Sequence, residues 1–194
     1  MSGIVEIARA LDFAARRHSG QRRKGLKAEP YVNHLAEVAL LLAEATGGGD
    51  PELVVAGLLH DTLEDTATTR EELASAFGPD VATLVEEVTD DRTLDRRARK
   101  RMQVETAPNK SRRARMIKIA DKIANLRSIA ESPPLGWSGR KKLEYAAWAR
   151  EVVAACGSTD AGLERLFQEA VARELGGPLQ ARLRHVNPAG FSPQ

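Results

Sequence analysis

The chain has 194 residues, 42% hydrophobic and 29% charged, which fits one globular domain with a sizeable core and excludes a disordered chain. Its 29 Lys and Arg nearly balance 27 Asp and Glu, for a net charge of +2, so bulk charge argues for neither nucleic acid nor a membrane surface as partner. Cys156 is the only cysteine, which excludes an internal disulfide and points to a reducing compartment. The opening "MSGIVEIARALDFAARRHSG" interrupts its apolar residues with Glu6, Arg9 and Asp12, unlike a signal peptide, and no apolar run approaches the ~20 residues of a membrane span. A soluble, cytoplasmic protein is expected.

In chain order the sequence reads as helix after helix. Ile4, Ile7, Ala8, Leu11, Ala14 and Ala15 share one apolar face. The basic stretch "QRRKGLKAE" is a loop, after which Pro30 suits the first position of a helix from about 30 to 46, ended by the glycines of "TGGGD". Asp50 and Pro51 signal the start of the next helix, which runs into "LLHDTLEDT" at 58–66. Thr68 or Thr69 caps a short helix to Phe77, and helices follow at about 80–89, 95–106 and 111–131. "ESPPLGWSG" is a break; two more amphipathic helices at 139–155 and 160–175 precede a loose tail. No stretch of alternating β-branched residues is long enough for a sheet, so an all-α domain is predicted.

Polar groups interrupt these apolar faces at a few places. His34 lies on a stripe with Val38, Leu41 and Leu42, and His60 on one with Ala56, Leu59 and Leu63, so both imidazoles face inward. Asp61 stacks above Gly57, whose missing side chain leaves room beside it, and below Glu64 and Asp65. If this stretch is helical, Asp61 and Asp65 are one turn apart, and such like charges cost roughly 0.2–0.5 kcal/mol even when exposed. In the helix 111–131, Ile119, Ile123, Leu126 and Ala130 form the buried stripe, with Asp121 and Asn125 near its edge and Lys118 and Lys122 flanking. Taken singly, an inward histidine is more often a hydrogen-bonded core residue, and an acidic cluster more often a solvated face. Together, two inward histidines and two aspartates supply an N/N/O/O set suited to manganese, iron or zinc, and the absence of thiolates argues against structural zinc. A cation there would also neutralise the crowded carboxylates, leaving others free to take a proton from water.

The series His34, His60-Asp61, Asp121 resembles the ligand pattern of the HD-domain metal-dependent phosphohydrolases. The segments "FAARRHSGQRRKGLKAEPYVNH", "AGLLHDTLEDTATT", "FGPDVATLVEEVTDD", "RKRMQVETAP", "KIADKIANLRSI" and "GWSGRKKLEYAAWAREVV" follow one another as in the small alarmone hydrolases. These are stand-alone relatives of the hydrolase half of the RelA/SpoT proteins, including the metazoan SpoT-homologue type, and the similarity spans roughly residues 4 to 175. The resemblance implies an HD-type helical bundle of about eight to ten helices over residues 1–176, with 177–194 as a tail. It implies removal of the 3′-pyrophosphate from ppGpp or pppGpp, with one manganese ion as cofactor. Carried over by position, His34, His60, Asp61 and Asp121 are the metal ligands, and Glu64 and Asp65 orient and deprotonate the attacking water. Arg23, Lys24, Tyr31 and Asn125 line the nucleotide pocket.

Three positions depart from the family pattern: Leu35 replaces a frequent proline, Ala124 a common tyrosine, and Ser128 a threonine near the base. Two alternatives stay open, an HD phosphohydrolase acting on another nucleotide such as NADPH or a dNTP, and a non-catalytic alarmone-binding module. The basic runs at 96–101 and 140–142 read as solvated faces, the first with a possible share in a positive rim, and Trp137 and Trp148 fall at helical core spacing. The expected partner is a small nucleotide, with no nucleic acid and no membrane, and the oligomeric state is open.

Overall fold

A computed structural model describes residues 3–175; the proposed tail at 177–194 lies outside the described residues. Among the described residues there are ten α-helices and no named strand. They are α1 (Gly3–Arg17), α2 (Val32–Ala45), α3 (Pro51–Leu59), α4 (Thr62–Asp65), α5 (Arg70–Phe77), α6 (Pro79–Val88), α7 (Arg96–Thr106), α8 (Arg112–Glu131), α9 (Gly139–Cys156) and α10 (Ala161–Leu175), with a 3₁₀ turn at Ala107–Asn109. The all-α expectation holds, and no helix among the described residues is long and apolar enough to cross a membrane.

Local chemistry sets most helix starts. Asp50, Thr69, Asp95, Ser111, Ser138 and Asp160 each accept a hydrogen bond from the backbone N–H three residues on, at α3, α5, α7, α8, α9 and α10. Each cap contributes on the order of 1 kcal/mol. The start of α2 is different from the expectation. Pro30 is not its first residue but sits in an antiparallel bridge with Arg22, closed by Arg23 N–H to Glu29 O at 2.8 Å and Tyr31 N–H to Gln21 O at 3.1 Å. The "QRRKGLKAE" loop is thus a pinned hairpin-like turn, and α2 begins two residues later.

"LLHDTLEDT" is not one helix. α3 stops at Leu59, His60 and Asp61 form a kink, and α4 is a single turn after it. The Thr62 hydroxyl donates to Leu59 O at 2.6 Å, so the chain stays compact through the kink, and Asp65 N–H to Asp61 O at 2.8 Å keeps those two acids one turn apart. Gly57 has another role than the one expected. A β-carbon there would stand 2.5 Å from Leu42 Cδ1, so its space is taken by α2 packing closely on α3, not left beside Asp61.

At the centre lies α8, packed against α10, α2, α9 and α6. Rather than burying the single stripe expected, it buries Met116, Ile117, Ile119, Ala120, Ile123, Ala124 and Leu126 on several sides, and Ala130 is only half-buried. Lys118 and Lys122 are buried with them instead of lying at a solvated edge. A helix packed on several sides is held by its neighbours, and its buried polar side chains are fixed in direction. Trp137 and Trp148 are half-buried, outside the core.

The basic loop after α1 is pressed onto the segment after α8. Gly25 bridges Pro134, and the Lys27 N–H donates to the Ser132 hydroxyl at 2.9 Å. A β-carbon at Gly25 would lie 2.1 Å from Ser132 O, a backbone atom that cannot rotate away. Gly25→Ala is expected to cost ~1–3 kcal/mol by forcing the two segments apart, read as a lower urea midpoint; an unchanged midpoint would contradict the close approach.

Candidate active site

Three separate pieces of chain meet beside α8. His34 comes from the first turn of α2, His60 and Asp61 from the kink after α3, and Asp121 from the middle of α8. His34 Nε2 lies 3.3 Å from Asp121 Oδ1 and 3.6 Å from Asp61 Oδ2. His60 Nε2 lies 3.1 Å from Asp61 Oδ2 and 3.9 Å from Asp121 Oδ1. His34, His60 and Asp121 bring one ligand atom each within 4.8 Å of one another, the spacing of groups that can share a cation. Asp61 touches both histidines from the side.

The donor set fits a divalent ion on two observations. His60 Nδ1 is engaged by Gly57 O at 2.8 Å, which sets it as the N–H, and the buried Nε2 makes no hydrogen bond. A buried imidazole nitrogen left without a partner while facing two carboxylates is a lone pair in search of a cation. Without an ion a proton answers the same carboxylates: burial opposes a charge on His60, but Asp61 and Asp121 outweigh it and push its pKa up to about 9, so a bound cation would displace that proton, whereas burial, with Arg23 and His60 nearby, holds His34 down. Burial likewise opposes ionisation of Asp61 and Asp121, but His60 beside the first and Lys122 beside the second hold both below the usual carboxylate range. Two ionised oxygens and two imidazoles are a hard-to-borderline ligand set without sulfur.

Further contacts aim these ligands. The Tyr31 hydroxyl donates to Asp61 Oδ2 at 2.7 Å; burial and then that carboxylate push the phenol far up, so it keeps its proton. Asn125 Nδ2 donates to Asp121 Oδ1 at 2.5 Å, and Lys122 Nζ to Asp121 Oδ2 at 2.8 Å. Arg23 in turn donates to Asn125 Oδ1 at 2.8 Å and lies 5.7 Å from the centre of the Tyr31 ring. Tyr31 and Asn125, expected in the nucleotide pocket, therefore also hold the carboxylates of the metal cluster.

Glu64 and Asp65 line the same cavity, of about 170 Å³, together with Asp90, Gln103 and Lys118. Burial raises the pKa of both acids, with Asp90 the next cause for Glu64 and Asp61 for Asp65. An adjoining groove of about 360 Å³ carries Arg23 and Lys24, the remaining two expected residues. Seven cationic side chains line it against three carboxylates. Arg96, Arg99 and Lys100 belong to the 96–101 run, so part of that run faces this groove and is not merely a solvated face. Trp137, Tyr145 and Trp148 form one wall, with ring centres 5.9 and 5.4 Å apart, and Lys100 and Lys122 lie 4.4 and 4.6 Å from the centre of the Trp148 ring.

The sequence reading left out Asp90, Gln103, Lys118 and Lys122 as site residues. The Lys118 ammonium lies 3.2 Å from Asp90, and Gln103 also hydrogen-bonds that carboxylate. The available signal was "KIADK", a pair of lysines flanking Asp121 at three before and one after, in a stretch whose other residues are apolar.

A helical bundle that gathers two histidines and an aspartate from separate segments, with an acidic pair one turn away, is a metal-binding domain of the hydrolase type. The HD domain family matches residues 10–143, and the chain belongs to it. It is 48% identical to the guanosine-3′,5′-bis(diphosphate) 3′-pyrophosphohydrolase MESH1 of Xenopus tropicalis, over 84% of this chain and 91% of that protein. The Homo sapiens MESH1 is 47% identical over 86% of this chain and 93% of its own length. The solved structure of a metazoan SpoT ortholog, one that hydrolyses ppGpp, superposes with a TM-score of 0.83 at 41% identity, covering 88% of this chain and 96% of that one.

His60→Ala is expected to leave the protein folded and without stoichiometric bound metal on elemental analysis after manganese loading and desalting. Unchanged metal content would remove His60 from the ligand set.

Proposed function

We propose that the chain is a metal-dependent 3′-pyrophosphohydrolase that converts ppGpp or pppGpp to GDP or GTP plus pyrophosphate, using one manganese ion. One observation carries the reading: the cavity that His60, Asp61 and Asp121 line and the cationic groove have Glu64, Asp65 and Asn125 in common, in a chain 48% identical to a 3′-pyrophosphohydrolase of that substrate.

His34, His60, Asp61 and Asp121 would hold the ion, which when bound offsets the crowded carboxylates and acts as a Lewis acid toward a phosphoryl oxygen. The protein's own groups perform the rest. Asp65, with Glu64 beside it, takes a proton from water as the water oxygen bonds to the phosphorus nearest the ribose. The bond from that phosphorus to the 3′ oxygen breaks, the oxygen takes a proton from solvent to leave as the ribose hydroxyl, and Asp65 returns its proton to solvent. Burial and neighbouring negative charge raise the pKa of both acids, which makes either a better base than a solvated carboxylate. Arg23 presents a planar guanidinium already fixed by Asn125, able to stack on a purine or fork onto phosphate, and Lys24 adds a point charge. The groove cations draw in a multiply charged nucleotide and hold it in line. The single cysteine, buried and free, supports a reducing, cytoplasmic setting.

The direct test incubates the protein with ppGpp, with and without manganese, and quantifies GDP and pyrophosphate; dGTP and NADPH are run separately. Turnover of ppGpp that depends on the ion is expected. If ppGpp is untouched while another nucleotide is consumed, the substrate assignment fails. Asp65→Asn should lower kcat by roughly 10²–10⁴-fold with an unchanged far-UV spectrum, and undiminished hydrolysis would remove Asp65 from the mechanism.

A further inference from the structure

The helix that carries Glu64 and Asp65 is four residues long, too short to be held by its own hydrogen bonds. Its last carbonyls have no partner further along the chain, because Thr66 leaves in extended backbone. Two side chains distant in sequence satisfy them. Arg92 Nη1 donates to Glu64 O at 2.5 Å, and Gln21 Nε2 donates to Asp65 O at 2.7 Å.

Arg92 does more than cap the backbone. Its Nη2 lies 3.1 Å from Asp65 Oδ1, so one planar fork spans the turn's free carbonyl and the carboxylate beside it. The ion pair with the Asp65 carboxylate is made through Oδ1, on the side of the turn's free carbonyl. The loop between α6 and α7 that supplies Arg92 also gives the Asp90 N–H to Glu64 Oε2 at 3.3 Å. That loop is anchored in turn through Asp90, held by the buried Lys118 and by Gln103.

We propose that Arg92 is a positioning residue: by joining the Glu64 carbonyl to the Asp65 carboxylate, it sets the direction from which Asp65 meets the attacking water. Its kinetic consequence rests on the hydrolase reading above; its structural consequence rests on the contacts alone. Arg92 is itself exposed, so its replacement removes the tether without opening the core.

The experiment compares Arg92→Ala and Arg92→Lys with the unsubstituted full chain, by two readouts. The first is hydrogen exchange at the Asp65 and Thr66 amides, which bond Asp61 O at 2.8 Å and Thr62 O at 3.2 Å. Arg92→Ala is expected to speed both by about tenfold or more while the α8 core keeps its protection. Exchange unaltered at both amides overturns the tether, whether or not the protein consumes ppGpp. The second is ppGpp kinetics with manganese. In Arg92→Ala kcat falls by about tenfold while KM stays within about twofold. Arg92→Lys recovers part of the loss, because an ammonium can pair the carboxylate but cannot fork both groups. A raised KM with unchanged kcat would make Arg92 a steering charge and overturn the proposal, as would kinetics equal to those of the unsubstituted chain. A chain that turns over no ppGpp at all counts against the hydrolase reading, and the exchange readout then decides the tether.

Discussion

Five carboxylates, Asp61, Glu64, Asp65, Asp90 and Asp121, line one small cavity, and the surrounding structure is arranged around their mutual repulsion. Four have a cationic or imidazole neighbour: Asp61 has His60, Asp65 has Arg92, Asp90 has Lys118, and Asp121 has Lys122. Among the described residues Glu64 receives a backbone amide, from Asp90, in place of a cationic partner. Lys118 and Lys122 are buried, and ion pairs of that kind seldom repay the desolvation of both charges. Their presence is better explained by the need to keep acids ionised and aimed than by stability. Of the five, Asp61 and Asp121 are the ones that meet the Nε2 atoms of His34 and His60, at 3.1–3.9 Å.

One helix organises both halves of this arrangement. From α8 come the aspartate of the metal cluster, the asparagine that bonds it, and both buried lysines. Because its neighbours pack on several sides, these groups have little freedom to turn. The outcome is two adjoining regions of opposite character, a negative cavity suited to a cation and a positive groove suited to a polyphosphate. Arg23 and Asn125, hydrogen-bonded to each other, stand where the two regions meet.

Much of this was legible in the residues, for physical reasons. Helix starts are written locally, in a capping side chain and the three residues after it, so Asp50 could be read directly and Thr69 as one of two neighbouring threonines. The inward direction of His34 follows from helical spacing alone. What the residues hid were contacts between distant segments. The kink at His60 and Asp61 has no proline or glycine to mark it, and it depends on the Thr62 hydroxyl reaching back to Leu59. Gly57 looked like space beside an aspartate, yet Leu42 from another helix fills it. Lys118 and Lys122 look like surface charges until α8 is known to be enclosed. Trp137 and Trp148 have the spacing of core residues, but cations stand over their rings, Lys141 over the first and Lys100 and Lys122 over the second.

The placement of those two indoles has a practical side. They are the only tryptophans in the chain, and both line the cationic groove. All of the protein's tryptophan emission therefore originates at one wall of that groove, and none comes from the hydrophobic core. The molecule carries a built-in optical reporter: a base or phosphate entering the groove changes the surroundings of every emitter at once, with no silent background from elsewhere in the fold.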